Sequence, residues 1–93
     1  NYQVYILLCR NGAYYVGYTR DLKQRVLLHN QGRAAAYTRQ HGPVELLYSE
    51  PHPTEKSART RERQIKKWTR LKKEALINGD IDQLHKASKR KHP

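Results

Sequence analysis

The chain has 93 residues, enough for one domain with one modest hydrophobic core. Its 19 Lys and Arg outweigh 8 Asp and Glu, and the net charge of +11 favours a polyanionic partner: nucleic acid first, then an anionic membrane surface or a ribosomal structural role. No apolar run approaches the roughly 20 residues that cross a bilayer, and a single cysteine, Cys9, leaves no disulfide framework and no four-ligand zinc site, which suits a reducing cytoplasm.

From the N-terminus, Tyr2, Val4, Ile6 and Leu8 alternate with Gln3, Tyr5, Leu7 and Cys9. That pattern predicts a strand with at least one buried face, and it is too short for a signal peptide. Asn11-Gly12 supplies the positive-φ residues of a hairpin turn. Residues 14–18 are the returning strand, rich in aromatic and β-branched side chains. Thr19 is the expected N-cap of a helix with Asp21 in its first turn; the helix runs to about Asn30, and Gly32 stops it. Residues 31–43 are looser, with one helical turn around Arg33 to Arg39 before Gly42-Pro43 breaks it.

Residues 44–48 form a third strand, and Pro51-His52-Pro53 reads as a turn. Thr54 caps a long helix to about Arg70. A shorter helix follows from Leu71 to Asn78, closed by Gly79, and Asp80 caps a final polar helix. The expected architecture is α/β (α+β): a small three-stranded antiparallel sheet flanked by helices. Residues 1–93 form a single domain, with residues 71–93 a basic helical C-terminal extension.

Polar residues occupy positions where a plain core helix would place apolar ones. Leu22, Arg25, Val26 and His29 fall at i, i+3, i+4 and i+7, on one face of the first helix. An arginine there needs a partner or a cleft. It can also snorkel, with its stem packed and His29 satisfied by a backbone group. Seven Tyr and no Phe suggest work for the hydroxyls, although wet phenol tips or stacking on bases would use the same residues. A two-residue turn would set Tyr5 opposite Tyr18. A three-residue turn with Gly12 in a bulge would set Tyr5 opposite Gly17 and on the same face as Tyr15. Glu62 lies at the edge of the apolar side of the long helix defined by Ala58, Ile65 and Trp68. It can be an ordinary ion-pair partner of Arg59 or Lys66, or the single carboxylate of a Mg²⁺ site. No P-loop, GxGxxG or GxSxG sequence occurs, so no nucleotide cofactor is expected.

Taken in order, these residues resemble the GIY-YIG nuclease domain. Val4-Tyr5-Ile6 stands for the first motif and Tyr15-Val16-Gly17 for the second, with Arg25 and His29 on the following helix. Residues 61–68 match the later segment with the metal-binding Glu62. Residues 37–39 and 43–48 look like the small stand-alone bacterial members, YhbQ-like and related to the Slx-type endonuclease domain. The resemblance covers roughly residues 2–70.

It implies a Mg²⁺-dependent DNA endonuclease, with Mn²⁺ able to substitute, acting in a setting such as DNA repair. Tyr5, Tyr15, Arg25, His29 and Glu62 would be catalytic, and Glu62 would hold the metal. Tyr5 is the expected general base or orienter of the attacking water, with Tyr15 and His29 as the other candidates for that work. Arg20, Arg33, Arg39, Lys66 and Lys67 would hold phosphates around the cleft, with little base readout. The expected substrate is single-stranded or structured DNA, cut with low sequence specificity by a cytoplasmic monomer or weak homodimer. The alternative is a non-catalytic nucleic-acid-binding protein using the same basic, tyrosine-rich surface.

Overall fold

The computed structural model describes residues 1–79; the helix expected from Asp80 lies outside them. Strand β1 (Tyr2–Leu8) is central, with β2 (Tyr14–Thr19) antiparallel on one side and β3 (Glu45–His52) antiparallel on the other. Helices α1 (Leu22–Asn30) and α2 (Ala36–His41) separate β2 from β3, and α3 (Glu55–Lys66) and α4 (Arg70–Asn78) close the described chain. This is the three-stranded antiparallel sheet with flanking helices that the sequence predicts.

Both faces of β1 are covered, so Val4, Tyr5, Ile6 and Leu7 are all buried in succession. On one face Val4, Ile6 and Val16 pack against Ala58 and Ile65 of α3, with Trp68 and with Leu76 and Ile77 of α4 around them. On the other face Tyr5, Leu7, Cys9 and Val44 pack together, and Leu22 and Val26 of α1 close over them. A bulge between β1 and β3 pairs Ile6 with Tyr48 and Leu7 with Leu46. The extra residue, Leu47, keeps each pair on its own face.

Among the boundaries that differ from the sequence reading, three have a clear local reason. Asp21, not Thr19, caps α1: its carboxylate accepts from the Gln24 backbone N–H, while the Thr19 hydroxyl accepts from Asp21 N–H. Strand β3 continues through Pro51 to His52, because an edge strand can spare the N–H that proline lacks. Helix α3 ends at Lys66 rather than near Arg70, because the Thr69 hydroxyl accepts from Lys72 N–H and starts α4 afresh.

The polar face of β3 is tied to α3 by one network. Glu50 accepts from Tyr48 Oη at 2.6 Å and from Arg61 Nε at 2.9 Å, and His52 bridges Glu50 and Ser57 at 2.6 Å on each side. Burial raises the Glu50 carboxyl, but these hydrogen bonds more than offset it and hold the group below the usual carboxylate range.

Ile65 is fully buried between sheet and α3. Truncation by Ile65→Ala is expected to cost about 2–5 kcal/mol, read by chemical denaturation. The half-exposed Leu27→Ala serves as a control that changes stability by less than about 0.5 kcal/mol.

Candidate active site

The hairpin turn sets the site. Cys9 N–H donates to Ala13 O at 2.8 Å and Gly12 N–H donates to Cys9 O at 2.9 Å, enclosing Arg10-Asn11-Gly12 as a three-residue loop. Gly12 takes φ of +87°, the left-handed region that glycine enters without strain. An odd loop fixes the register: Tyr5 pairs with Gly17 and Leu7 with Tyr15. Tyr5 and Tyr15 therefore share a face, the arrangement that brings both to one site.

Gly17 is the gap beside Tyr5. A Cβ built on it would lie 2.5 Å from the Tyr5 hydroxyl oxygen, closer than any real side chain approaches. The phenol thus lies over a bare stretch of β2 and reaches a cleft of about 530 Å³ along the outer edge of that strand. Tyr5, Tyr15, Arg25 and Glu62 all line this cleft, and Arg20, Gln24 and Glu55 sit on its walls. Glu62 arrives from α3 on the opposite side of the sheet, meeting Tyr5 around the strand edge.

His29 is placed differently from its four companions. It is 1% exposed and lies behind Tyr5, outside the cleft lining. Its Nε2 is 2.9 Å from the Tyr5 hydroxyl and its Nδ1 is 2.8 Å from Thr38 Oγ1. Thr38 in turn donates to Ala35 O at 3.1 Å. The Tyr15 ring packs edge-on to the imidazole at 5.1 Å between centroids. Burial, with the Arg25 guanidinium nearby, holds His29 below the usual imidazole range, so it is neutral at neutral pH. Burial pushes the Tyr5 phenol up to about 12; Tyr15 and Glu62 push the same way, and Arg25 opposes them.

Thr38 is the polar residue that sequence reasoning missed. No helical or strand spacing links positions 29 and 38. They meet because Asn11 Nδ2 donates to Tyr37 Oη at 3.0 Å, Arg10 N–H donates to His41 O, and Asn30 Oδ1 accepts from Val44 N–H. These bonds fasten α2 and the segment after it to the hairpin and α1.

The carboxylates of the cleft are unequally free. Asp21 is occupied by the α1 cap, and Glu55 accepts from Tyr18 Oη and pairs with Arg59. Glu62 is 17% exposed and pairs with Lys66, an exposed side chain able to swing away, at 3.2 Å. No cluster of three or more His, Cys, Asp or Glu occurs among the described residues. One carboxylate facing a polar cleft fits a hard cation that keeps its waters and takes further oxygens from a phosphate, and does not fit a zinc cage.

The five basic residues expected around the cleft separate. Arg20 lines it, its guanidinium 5.6 Å over the Tyr2 ring, and Lys66 adjoins it through Glu62. Lys67 does not line it. Five residues beyond Glu62, about 140° round the helix, it borders a separate depression with Arg63 and Trp68. Arg33 and Arg39 are exposed on the α1–α2 segment, with Arg39 packed over Gly32, also away from the cleft lining.

Gly17→Ala is expected to displace the Tyr5 ring and cost about 1–3 kcal/mol, seen in a denaturation curve and in shifted Tyr5 ring resonances. His29 gives a pH signature. Its folded form resists protonation, so below the ordinary imidazole range unfolding takes up a proton and stability falls. The melting temperature of the wild type should drop more steeply between about pH 7 and pH 5 than that of His29→Asn.

The GIY-YIG catalytic domain model matches residues 1–75. A UPF0213 protein of Bacillus pumilus is 46% identical over 77 residues, covering 83% of this chain and 79% of that protein. UPF0213 protein YazA of Bacillus subtilis is 43% identical over 77 residues, covering 83% and 78%. The solution NMR structure of a UPF0213 protein from Bacillus halodurans is similar with a TM-score of 0.55 at 38% identity, covering 85% of this chain and 84% of its own. With both motif strands, the Arg-bearing helix and the Glu62 helix arranged around one cleft, the chain belongs to the GIY-YIG nuclease family.

Proposed function

We propose that this chain is a metal-assisted DNA endonuclease that hydrolyses phosphodiester bonds with low sequence specificity, acting on single-stranded or branched DNA. The observation that carries the reading is the convergence of Tyr5, Tyr15, Arg25 and Glu62 on one cleft, with His29 hydrogen-bonded behind Tyr5.

The chemistry follows from the protonation states. A free Tyr5 phenolate is disfavoured by burial. Tyr5 therefore serves best as a relay: it accepts a proton from the attacking water while its own hydroxyl proton passes to the neutral Nε2 of His29. The water oxygen bonds to phosphorus as the P–O bond to the leaving strand breaks, and solvent protonates the departing alkoxide. Arg25 offsets charge on the non-bridging oxygens, and Tyr15 orients water or phosphate. Glu62 would hold Mg²⁺, with Mn²⁺ able to substitute; the bound ion supplies Lewis-acid stabilisation of the phosphate and the leaving oxygen.

Strand preference rests on the rim. Tyr2 and Tyr18 lie at its edge with ring centroids 6.5 Å apart, beside Arg20. Aromatic and guanidinium faces suit unpaired bases, which present a stacking surface that a duplex hides. Basic side chains supply the rest as sequence-blind phosphate contacts. A cytoplasmic monomer or weak homodimer is the form in which we expect it to act; no helix among the described residues is long and apolar enough to cross a membrane.

The test is cleavage of labelled single-stranded, forked and duplex DNA with Mg²⁺ or Mn²⁺. The wild type is expected to cut, single-stranded and forked DNA first. Glu62→Gln should bind as before and cut about 10²–10³-fold more slowly. A wild type that binds DNA yet cuts none of these under any metal or pH overturns the enzyme reading in favour of a binding protein.

A further inference from the structure

We infer that Thr38 is a positioning residue that selects the tautomer of His29, leaving Nε2 bare and aimed at Tyr5. Its catalytic consequence rests on the nuclease reading above; the tautomer itself does not.

The inference comes from counting hydrogens along a buried chain. Thr38 has one hydroxyl hydrogen, and Ala35 O, a carbonyl that can only accept, lies 3.1 Å from Thr38 Oγ1. The hydroxyl hydrogen is used there. Thr38 Oγ1 must then accept at its 2.8 Å contact with His29, so the imidazole hydrogen sits on Nδ1. A neutral ring with hydrogen on Nδ1 carries a lone pair on Nε2. The Tyr5 hydroxyl, 2.9 Å away, is left to donate to it. Donation therefore runs in one direction, from Tyr5 to His29 to Thr38 to the Ala35 carbonyl.

Bulk water does not compete at the inner links, because His29 and Thr38 are each 1% exposed. Ala35 is itself fixed as the residue that opens α2, its carbonyl also accepting from Arg39 N–H. The β-branched threonine side chain has few rotamers with which to escape. The groups that face the imidazole are Arg25 from its own helix, Tyr5 from β1, Tyr15 from β2 and Thr38 from α2. None of them is a carboxylate that would favour an imidazolium.

The opposite tautomer would reverse the pair. With hydrogen on Nε2, His29 would donate to the Tyr5 oxygen and could take no proton from it. Tyr5 could still orient a water but would have nowhere to pass a proton. The Thr38 oxygen is thus the difference between a relay and a dead end, although it never touches the cleft.

The experiment reads the ring nitrogens of His29 by long-range ¹H–¹⁵N correlation at mildly alkaline pH, beside cleavage kinetics across pH. Wild type and Thr38→Ser are expected to show hydrogen on Nδ1. Thr38→Val, close in shape but without an acceptor, should shift toward hydrogen on Nε2. It should also lower kcat by about 10²-fold or more with KM little changed, and Thr38→Ser should restore most of the rate. A merely loosened fold would reduce the active fraction without moving the tautomer or reshaping the pH profile. Hydrogen on Nε2 in the wild type overturns the inference, and so does a folded Thr38→Val with the wild-type tautomer. If Thr38→Val does not fold, the wild-type and Thr38→Ser spectra still decide it. Hydrogen on Nδ1 in a wild type that never cuts DNA supports the tautomer and removes only the nuclease reading.

Discussion

A three-residue turn governs the chemistry of this fold. Strand side chains alternate with a period of two, so a change of one residue in the loop would turn a whole strand over. With Arg10-Asn11-Gly12 as the loop, Tyr5 faces Gly17 and shares its side of the sheet with Tyr15. With a two-residue loop, Tyr5 would face the bulk of Tyr18, and Tyr15 would point into the core under α3. The left-handed conformation at Gly12 is thus the local condition for a cleft that lies further along the same hairpin.

The second requirement is a polar chain laid through an apolar face. Tyr5 packs with Leu7 and Val26, and His29 and Thr38 behind it are fully buried, so an unpaired donor or acceptor there would be costly. The structure meets that cost by completing every bond: no buried side-chain nitrogen or oxygen among the described residues lacks a partner. Burial also acts on charge. It raises the Tyr5 phenol and lowers the His29 imidazole, so the resting pair is neutral on both sides. In a low-dielectric setting such a pair is strongly hydrogen-bonded yet stores no charge at rest, which leaves the imidazole free to receive a proton.

Much of this was legible in the sequence because it rests on periodicity. The alternation of residues 2–9, the Asn11-Gly12 turn, the polar stripe Arg25 and His29 on α1, and Glu62 at the edge of an apolar helix face all follow from fixed repeat angles. What was not legible depends on where elements meet. The contact between His29 and Thr38 is made by α2, whose position is set by hydrogen bonds to the hairpin and by the Asn30 tie to the segment after it, rather than by its own six-residue pattern. The helix angle of Lys67 could be computed, but which angle faced the cleft could not be known before the sheet edge was placed. The Asp21 cap and the early end of α3 were lost to competition between neighbouring hydroxyl and carboxylate groups, which differ little in their preference for such sites.

The end of α3 has one more effect. Because Thr69 starts a new helix, Arg70 turns back onto the hairpin: its guanidinium donates to Gly12 O at 2.9 Å and lies 4.1 Å over the Tyr14 ring. The turn that fixes the register is thus fastened by a residue 58 positions downstream. On a chain emerging from the ribosome, the first strands could explore alternative pairings until nearly all of this domain had been made. The hairpin that shapes the cleft thus precedes its own fastener by three helices and a strand, which ties the register of the cleft to synthesis through Arg70.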